Sequence, residues 1–311
     1  MTDVSQTLHS GVKKETSSGK LPEPRAVLEL FKPVTWFPPM WAFACGAVST
    51  AGAGTSWAQI IWGLVVAGPL VCASSQAVND WYDRDVDALN EPHRPIPSGR
   101  IPGRWGLALA VLWTFVSLVA GLGLGRWGFI ATAAALVFAW GYSMPPLRFK
   151  QNGWIGNLAV GISYEGLAWI TGAAVALGGG RPPLEVFVFA LLYSLGAHGI
   201  MTLNDFKSRE GDLRMGVDSI PALLGPRGAA KAATWAMLLP QAVVVGFLAW
   251  WGAPVAALIV TGLMAIQTPM LRRLVHEPTP ERALWMSAFG VPVFVTGMMV
   301  TAFALRGGIL G

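Results

Sequence analysis

Residues 79–87 read Asn79-Asp80-Trp81-Tyr82-Asp83-Arg84-Asp85-Val86-Asp87, and a related stretch reads Asn204-Asp205-Phe206-Lys207-Ser208-Arg209-Glu210-Gly211-Asp212. On a helix of about 100° per residue, Asp80, Asp83 and Asp87 fall on one stripe about 60° wide, with Asn79 beside Asp83. Aligned on the Asn-Asp pair, Asp205 and Asp212 take the places of Asp80 and Asp87, Glu210 takes that of Asp85, and Ser208 stands where Asp83 would be. Each stretch directly follows an apolar run. Carboxylates in one stripe repel unless a cation sits among them. Oxygen ligands of this kind suit Mg²⁺, which is commonly bound through a few carboxylates plus substrate phosphate.

The apolar runs recur along the whole chain. Of 311 residues, 53% are hydrophobic and 13% charged, against roughly 25% charged in a soluble domain. Nine runs are about as long as the 20 residues a helix needs to cross a bilayer. They are 34–53, 57–78, 105–124, 127–146, 154–178, 184–203, 230–251, 253–271 and 283–305. The fold expected is all-α: a polytopic bundle of nine transmembrane helices over 25–311, entered through a short interfacial helix at 25–32 and preceded by a disordered polar tail at 1–24. That tail has no apolar core and is not read as a signal peptide. Cys45 and Cys72 lie inside apolar runs and are read as small buried hydrophobes.

Basic residues set the orientation. With nine crossings, every Lys and Arg except Arg126, Arg181 and Arg306 falls on the side of the N-terminus. The positive-inside rule then places the N-terminus and both acidic stretches in the cytoplasm, and Gly311 on the far side. Two stripes in one register at one face of an apolar bundle are the site expected for a diphosphate bridged by Mg²⁺. The metal would neutralise the leaving group so that an allylic C–O bond ionises. Arg94 in the Pro-rich loop at 91–99, and Arg148 and Lys150 at the end of Tyr142–Lys150, are placed to hold the outer phosphate. Asn79, Tyr142, Asn204 and Lys207 join them as substrate-binding candidates. Ordinary snorkelling explains any one of these cations equally well.

The strings NDWYDRDVDALNEPHRPIPSG (79–99), YSMPPLRFK (142–150) and NDFKSREGD (204–212) resemble the UbiA superfamily of intramembrane prenyltransferases, in its chlorophyll and bacteriochlorophyll synthase branch. TWFPPMWAF (35–43) and SYEGLAWITGAA (163–174) resemble the bacteriochlorophyll side more. The resemblance spans nearly all of 25–305. It implies transfer of a geranylgeranyl or phytyl group from its diphosphate to the propionate of a (bacterio)chlorophyllide, in the inner, photosynthetic membrane of a bacterium and with no nucleic-acid partner. It also implies that Asn79, Asp80, Asp83 and Asp87 form the first metal–diphosphate motif and Asp205 and Asp212 the second, as metal ligands and catalytic residues. Ser208 departs from relatives acting on aromatic acids, which usually carry a third Asp there, and leaves the second metal's ligand count open.

Two further residues stand out inside the membrane. His198 is a candidate contact to the acceptor or its central Mg²⁺, against a polar contact between helices. Glu165 is an intramembrane carboxylate with no partner assignable from sequence. Gly161, Gly166, Gly172 and Gly196 are expected to widen the acceptor cleft. Two rival readings stay open: another UbiA-type enzyme acting on a quinone precursor or a haem, and a divalent-cation transporter. A transporter site would lie near the bilayer midplane, whereas both stripes here sit at one surface beside Lys and Arg.

Overall fold

The computed structural model describes residues 21–309, and the rest of the expected tail lies outside them. The expected entry helix is present as α1 (Pro24–Leu30). It is tied down by Arg100, whose Nη1 lies 2.6 Å from Glu29 Oε2 and whose carbonyl accepts from Glu23 N–H at 3.2 Å. α2 (Phe37–Thr50) follows. One long helix then runs as α3 (Trp57–Val65), a π-helical turn at Val66–Cys72, and α4 (Ala73–Asn90). Pro69 sits in the π turn. A proline cannot supply the usual helical N–H, and the wider turn accommodates its ring.

α5 (Trp105–Gly121) and α6 (Gly125–Ser143) form one 39-residue apolar run. A straight helix of that length would be about 58 Å long, twice the bilayer's apolar thickness of about 30 Å. The run instead turns through a 3₁₀ segment at Leu122–Leu124 and Gly125, whose φ of 73° only glycine adopts freely. The two helices fold back together, with Trp140 Nε1–H donating to Thr114 Oγ1 at 3.0 Å. α7 (Gly153–Gly161), a second π turn at Ile162–Leu167 and α8 (Ala168–Ala176) form the next helix. α9 (Leu184–Asp205), the short α10 (Arg209–Met215), α11 (Ile220–Trp250), α12 (Pro254–His276) and α13 (Pro280–Ala304) complete the chain.

Seven helices among the described residues are long and apolar enough to cross a membrane. The expected nine runs differ from this in two places. α2 has only 14 residues, and the hairpin of α5 and α6 is one continuous helical stretch by length.

Close backbone approach holds the bundle together, as expected where lipid offers no hydrophobic drive between helices. A Cβ on Gly46 would lie 1.9 Å from the Trp169 carbonyl oxygen, and one on Gly172 2.0 Å from that of Phe43, so α2 and α8 touch along their backbones. Trp41 Nε1–H donates to Val295 O at 2.9 Å, closing α2 onto α13, and the hydroxyls of Tyr193 and Thr301 meet at 2.8 Å between α9 and α13. The two π turns meet as well. The Tyr164 hydroxyl lies 3.0 Å from both Ser75 Oγ and Gln76 Nε2 and 3.4 Å from Cys72 Sγ. Cys45 and Cys72 are buried free thiols.

The glycines expected to widen a cleft pack helices instead. A Cβ on Gly161 would meet Ser194 O at 2.4 Å, one on Gly166 would meet Ser194 Oγ at 2.5 Å, and one on Gly196 would meet the Phe294 ring at 2.4 Å. With Gly172 against Phe43, all four face neighbouring helices.

Candidate active site

The first acidic stretch is helical, as its spacing requires. α4 continues unbroken to Asn90, so the helix from Trp57 is about 50 Å long and overhangs the apolar layer by about 20 Å. Asp80, Asp83 and Asp87 lie in the last three turns of this helix. The second stretch departs from the expected shared register. α9 ends at Asp205, whose carbonyl accepts a turn bond from Ser208 N–H at 3.1 Å and lies 3.1 Å from Ser208 Oγ. Short hydroxyl side chains compete for backbone in this way and end helices. Asp212 therefore sits on the separate helix α10, and the Ser208 hydroxyl lies 2.9 Å from its Oδ2.

Both stretches border one cavity of about 580 Å³. Of the residues singled out in the sequence, Asn79, Asp83, Asp87, Arg94, Tyr142, Arg148, Lys150, Asp205, Lys207 and Asp212 line it. Four do not. Asp80 lies behind the wall, 2% exposed, with Lys32 Nζ at 2.6 Å and Arg94 Nη1 at 3.6 Å from Oδ1. Asn204 is exposed, with Met201 Sδ at 3.9 Å from its amide. His198 is buried between α7 and α9, its ring stacked on Trp154 at 5.4 Å, as a helix–helix contact would have it. Glu165 is buried in the second π turn, and its Oε2 has no hydrogen-bond partner.

The stripes are neutralised differently. On α4, Arg94 Nη1 lies 2.8 Å from Asp87 Oδ2, and Arg94 also pairs with Glu91. Lys150 pairs with Asp83, whose other oxygen accepts from Asn79 Nδ2 at 2.9 Å. Burial pushes the Lys150 ammonium below the usual lysine value, while Asp83 pulls it back up. Across the cavity, Asp205 Oδ2 accepts from Asn157 Nδ2 at 2.9 Å. Among the described residues no cation lies within ion-pair distance of Asp205 or Asp212.

Among the described residues, two side chains lining the cavity have a buried polar atom without a protein partner, Arg148 Nε and Ser219 Oγ, and behind the wall Asp80 Oδ2 is a third. Arg148 has a left-handed backbone, φ 36°, a conformation costly for a non-glycine residue and found more often at functional sites. An unpaired guanidinium N–H at a polar cavity suits an anion. No three His, Cys, Asp or Glu side chains among the described residues converge as a ready-made metal cage. The donors are carboxylate oxygens on two walls. That set fits a magnesium ion sharing its coordination with a bound diphosphate, since Mg²⁺ needs only one or two carboxylates when phosphate oxygens and water supply the rest.

Asn157 lines the cavity and Lys32 reaches Asp80 behind its wall, and the sequence reading names neither as a site residue. Lys32 counted only towards orientation. Asn157 is a lone amide in an apolar run, and an intramembrane polar residue is itself a signal of function.

Residues 39–304 match the UbiA prenyltransferase family. The chain is 53% identical to the bacteriochlorophyll synthase 33 kDa chain of Cereibacter sphaeroides, over 92% of this chain and 95% of that one. It is 38% identical to the chloroplastic chlorophyll synthase of Oryza sativa subsp. japonica, over 94% of this chain and 79% of that one. A UbiA homolog from Archaeoglobus fulgidus, solved bound to GPP and Mg²⁺, has the same fold with a TM-score of 0.72 at 20% identity, over 90% of this chain and 99% of that one. The match across most of the chain, on a helical bundle with both acidic stretches at one cavity, places this chain in the UbiA prenyltransferase family.

Proposed function

We propose that this chain is a Mg²⁺-dependent prenyltransferase that esterifies the propionate of a bacteriochlorophyllide or chlorophyllide with a geranylgeranyl or phytyl group. The observation that carries the reading is the cavity itself. Carboxylates from two helix ends face each other across it, and cations from a third side, Arg148 and Lys150, stand at its wall. The pigment as acceptor is supported by the likeness to the bacteriochlorophyll synthase of C. sphaeroides.

In this reading Asp83, Asp87, Asp205 and Asp212 would hold the metal with the substrate's diphosphate, and Asp80 keeps Lys32 and Arg94 in place behind them. A magnesium ion supplies charge neutralisation of the diphosphate leaving group. Arg148, with its free Nε–H, Lys207 and the Tyr142 hydroxyl donate to diphosphate oxygens. Arg94 and Lys150, which pair with Asp87 and Asp83, stand at the same wall and would also face the diphosphate. The prenyl C–O bond breaks with its electron pair leaving on diphosphate, and a propionate oxygen forms the new C–O bond. A carboxylate is already nucleophilic at neutral pH, so the site needs no general base. The apolar helices keep water from the allylic cation.

We also read the short α2 and the two arms of the α5–α6 hairpin as separate crossings, for nine in all, with the N-terminus and the cavity on the cytoplasmic face of the inner membrane. The residues from 25 onward then form one transmembrane domain.

Detergent-purified protein given labelled geranylgeranyl diphosphate, bacteriochlorophyllide and Mg²⁺ should release diphosphate and label the pigment ester, and a chelator should stop it. Transfer that persists without divalent metal, or label recovered only in the free alcohol, would overturn the reading.

A further inference from the structure

We infer that Asn157 is a positioning residue that aims Asp205 at the metal. The inference rests on the metal reading above and adds a role for a residue on the opposite helix. Asn157 is 3% exposed and stands on α7, one helix away from either acidic stretch. Its Nδ2 donates to Asp205 Oδ2 at 2.9 Å and also lies 3.4 Å from Thr202 Oγ1. Thr202 in turn gives its proton to the His198 carbonyl at 3.0 Å, so its hydroxyl oxygen is left to accept from Asn157. A carboxylate only accepts, so the amide must present its NH₂ group to both partners. The carboxamide is therefore fixed from two sides.

The consequence lies in what Asp205 lacks. Asp80, Asp83 and Asp87 are each met by Lys or Arg. Asp205 is met by a neutral amide, and Asp212 by the neutral Ser208 hydroxyl. A neutral donor fixes an oxygen without cancelling its charge, which is what an outer partner of a metal ligand does. The α4 carboxylates must first give up a cation to take a metal, whereas Asp205 does not. Asn157 thus holds Asp205 ready at the cavity wall with no paired cation to displace. The pattern repeats the Asn79 contact to Asp83 on the opposite wall, made here from a different helix.

The test is Mn²⁺ binding by purified full-length protein in detergent with inorganic diphosphate, followed by electron paramagnetic resonance, with thermal melting without metal as the control for folding. Asn157→Leu keeps the volume and removes the donor. Its Mn²⁺ affinity should fall about 10- to 100-fold, the usual effect of losing such an outer partner, while the metal-free melting temperature holds. Asn157→Gln keeps the donor, and the cavity that Asn157 borders admits the extra methylene, so its affinity should stay near wild type. If Asn157→Leu does not melt cooperatively, Asn157→Ser replaces it, too short to reach Asp205, with the same expectation. Wild-type affinity in the donorless variant, or an equal loss in Asn157→Gln, would overturn the role of Asn157. Failure of the wild-type protein itself to bind Mn²⁺ would instead overturn the metal reading on which it rests.

Discussion

Asp80 and Asp205 begin the two acidic stretches with the same Asn-Asp pair, yet they should respond differently to the same substitution. Asp80→Asn strands Lys32, which is 25% exposed, and removes one of the charges around Arg94. It should lower stability by about 1–3 kcal/mol, less than the about 3–5 kcal/mol for breaking a fully buried pair. Asp205→Asn strands no cation. Its melting temperature should match wild type while turnover falls about 100-fold or more, as for loss of a group that stabilises transition-state charge. Melting curves and turnover of the two purified variants check both expectations, and equal destabilisation would contradict the difference in pairing. The acidic residues were legible from sequence because three carboxylates at helical spacing are a periodic signal. Lys32 and Asn157 were not, because each reaches its partner across 48 residues of chain through a packed interface. The place of Asp80 behind the wall had no sequence signal, since a helical stripe does not reveal which of its members the neighbouring cations cover.

The apolar α3, the π turn and α4 with its acidic stripe form one continuous element from Trp57 to Asn90. The apolar runs were readable by length. The break after Asp205 was not, since it depends on Ser208 taking the Asp205 carbonyl. Packing between elements leads to a second expectation. At Gly172 an added Cβ meets the Phe43 backbone at 2.0 Å, and backbone cannot move aside without separating α2 from α8. At Gly196 the obstacle is the end of the Phe294 ring at 2.4 Å, which can tilt. Gly172→Ala should therefore cost at least about 2–3 kcal/mol and Gly196→Ala less, in the range found for overpacked interiors. Thermal melting in detergent reads the difference. A Gly172→Ala variant as stable as wild type would show that α2 and α8 are not in backbone contact. Small residues are common throughout the sequence, so their facing helices rather than a cleft became visible only with the packing.

At the scale of the molecule, charge and chemistry point to one face. The cavity lies where α4 and α9 end and α7 begins, and Arg94, Arg148, Lys150 and Lys207 gather there. If the proposed nine crossings and cytoplasmic N-terminus hold, a reporter fused after Gly311 should be active only outside the cytoplasm. Activity of a reporter that works only inside the cytoplasm would contradict nine crossings or the orientation. The acceptor is what the residues at the cavity specify least, because metal and cations recognise the diphosphate half of the reaction alone. A panel of acceptors therefore bears on the central claim most directly. Purified unmodified protein, Mg²⁺ and geranylgeranyl diphosphate should esterify bacteriochlorophyllide or chlorophyllide and leave a small aromatic acid untouched. Prenylation of the aromatic acid with no pigment ester would contradict the assignment and leave only membership of the family standing.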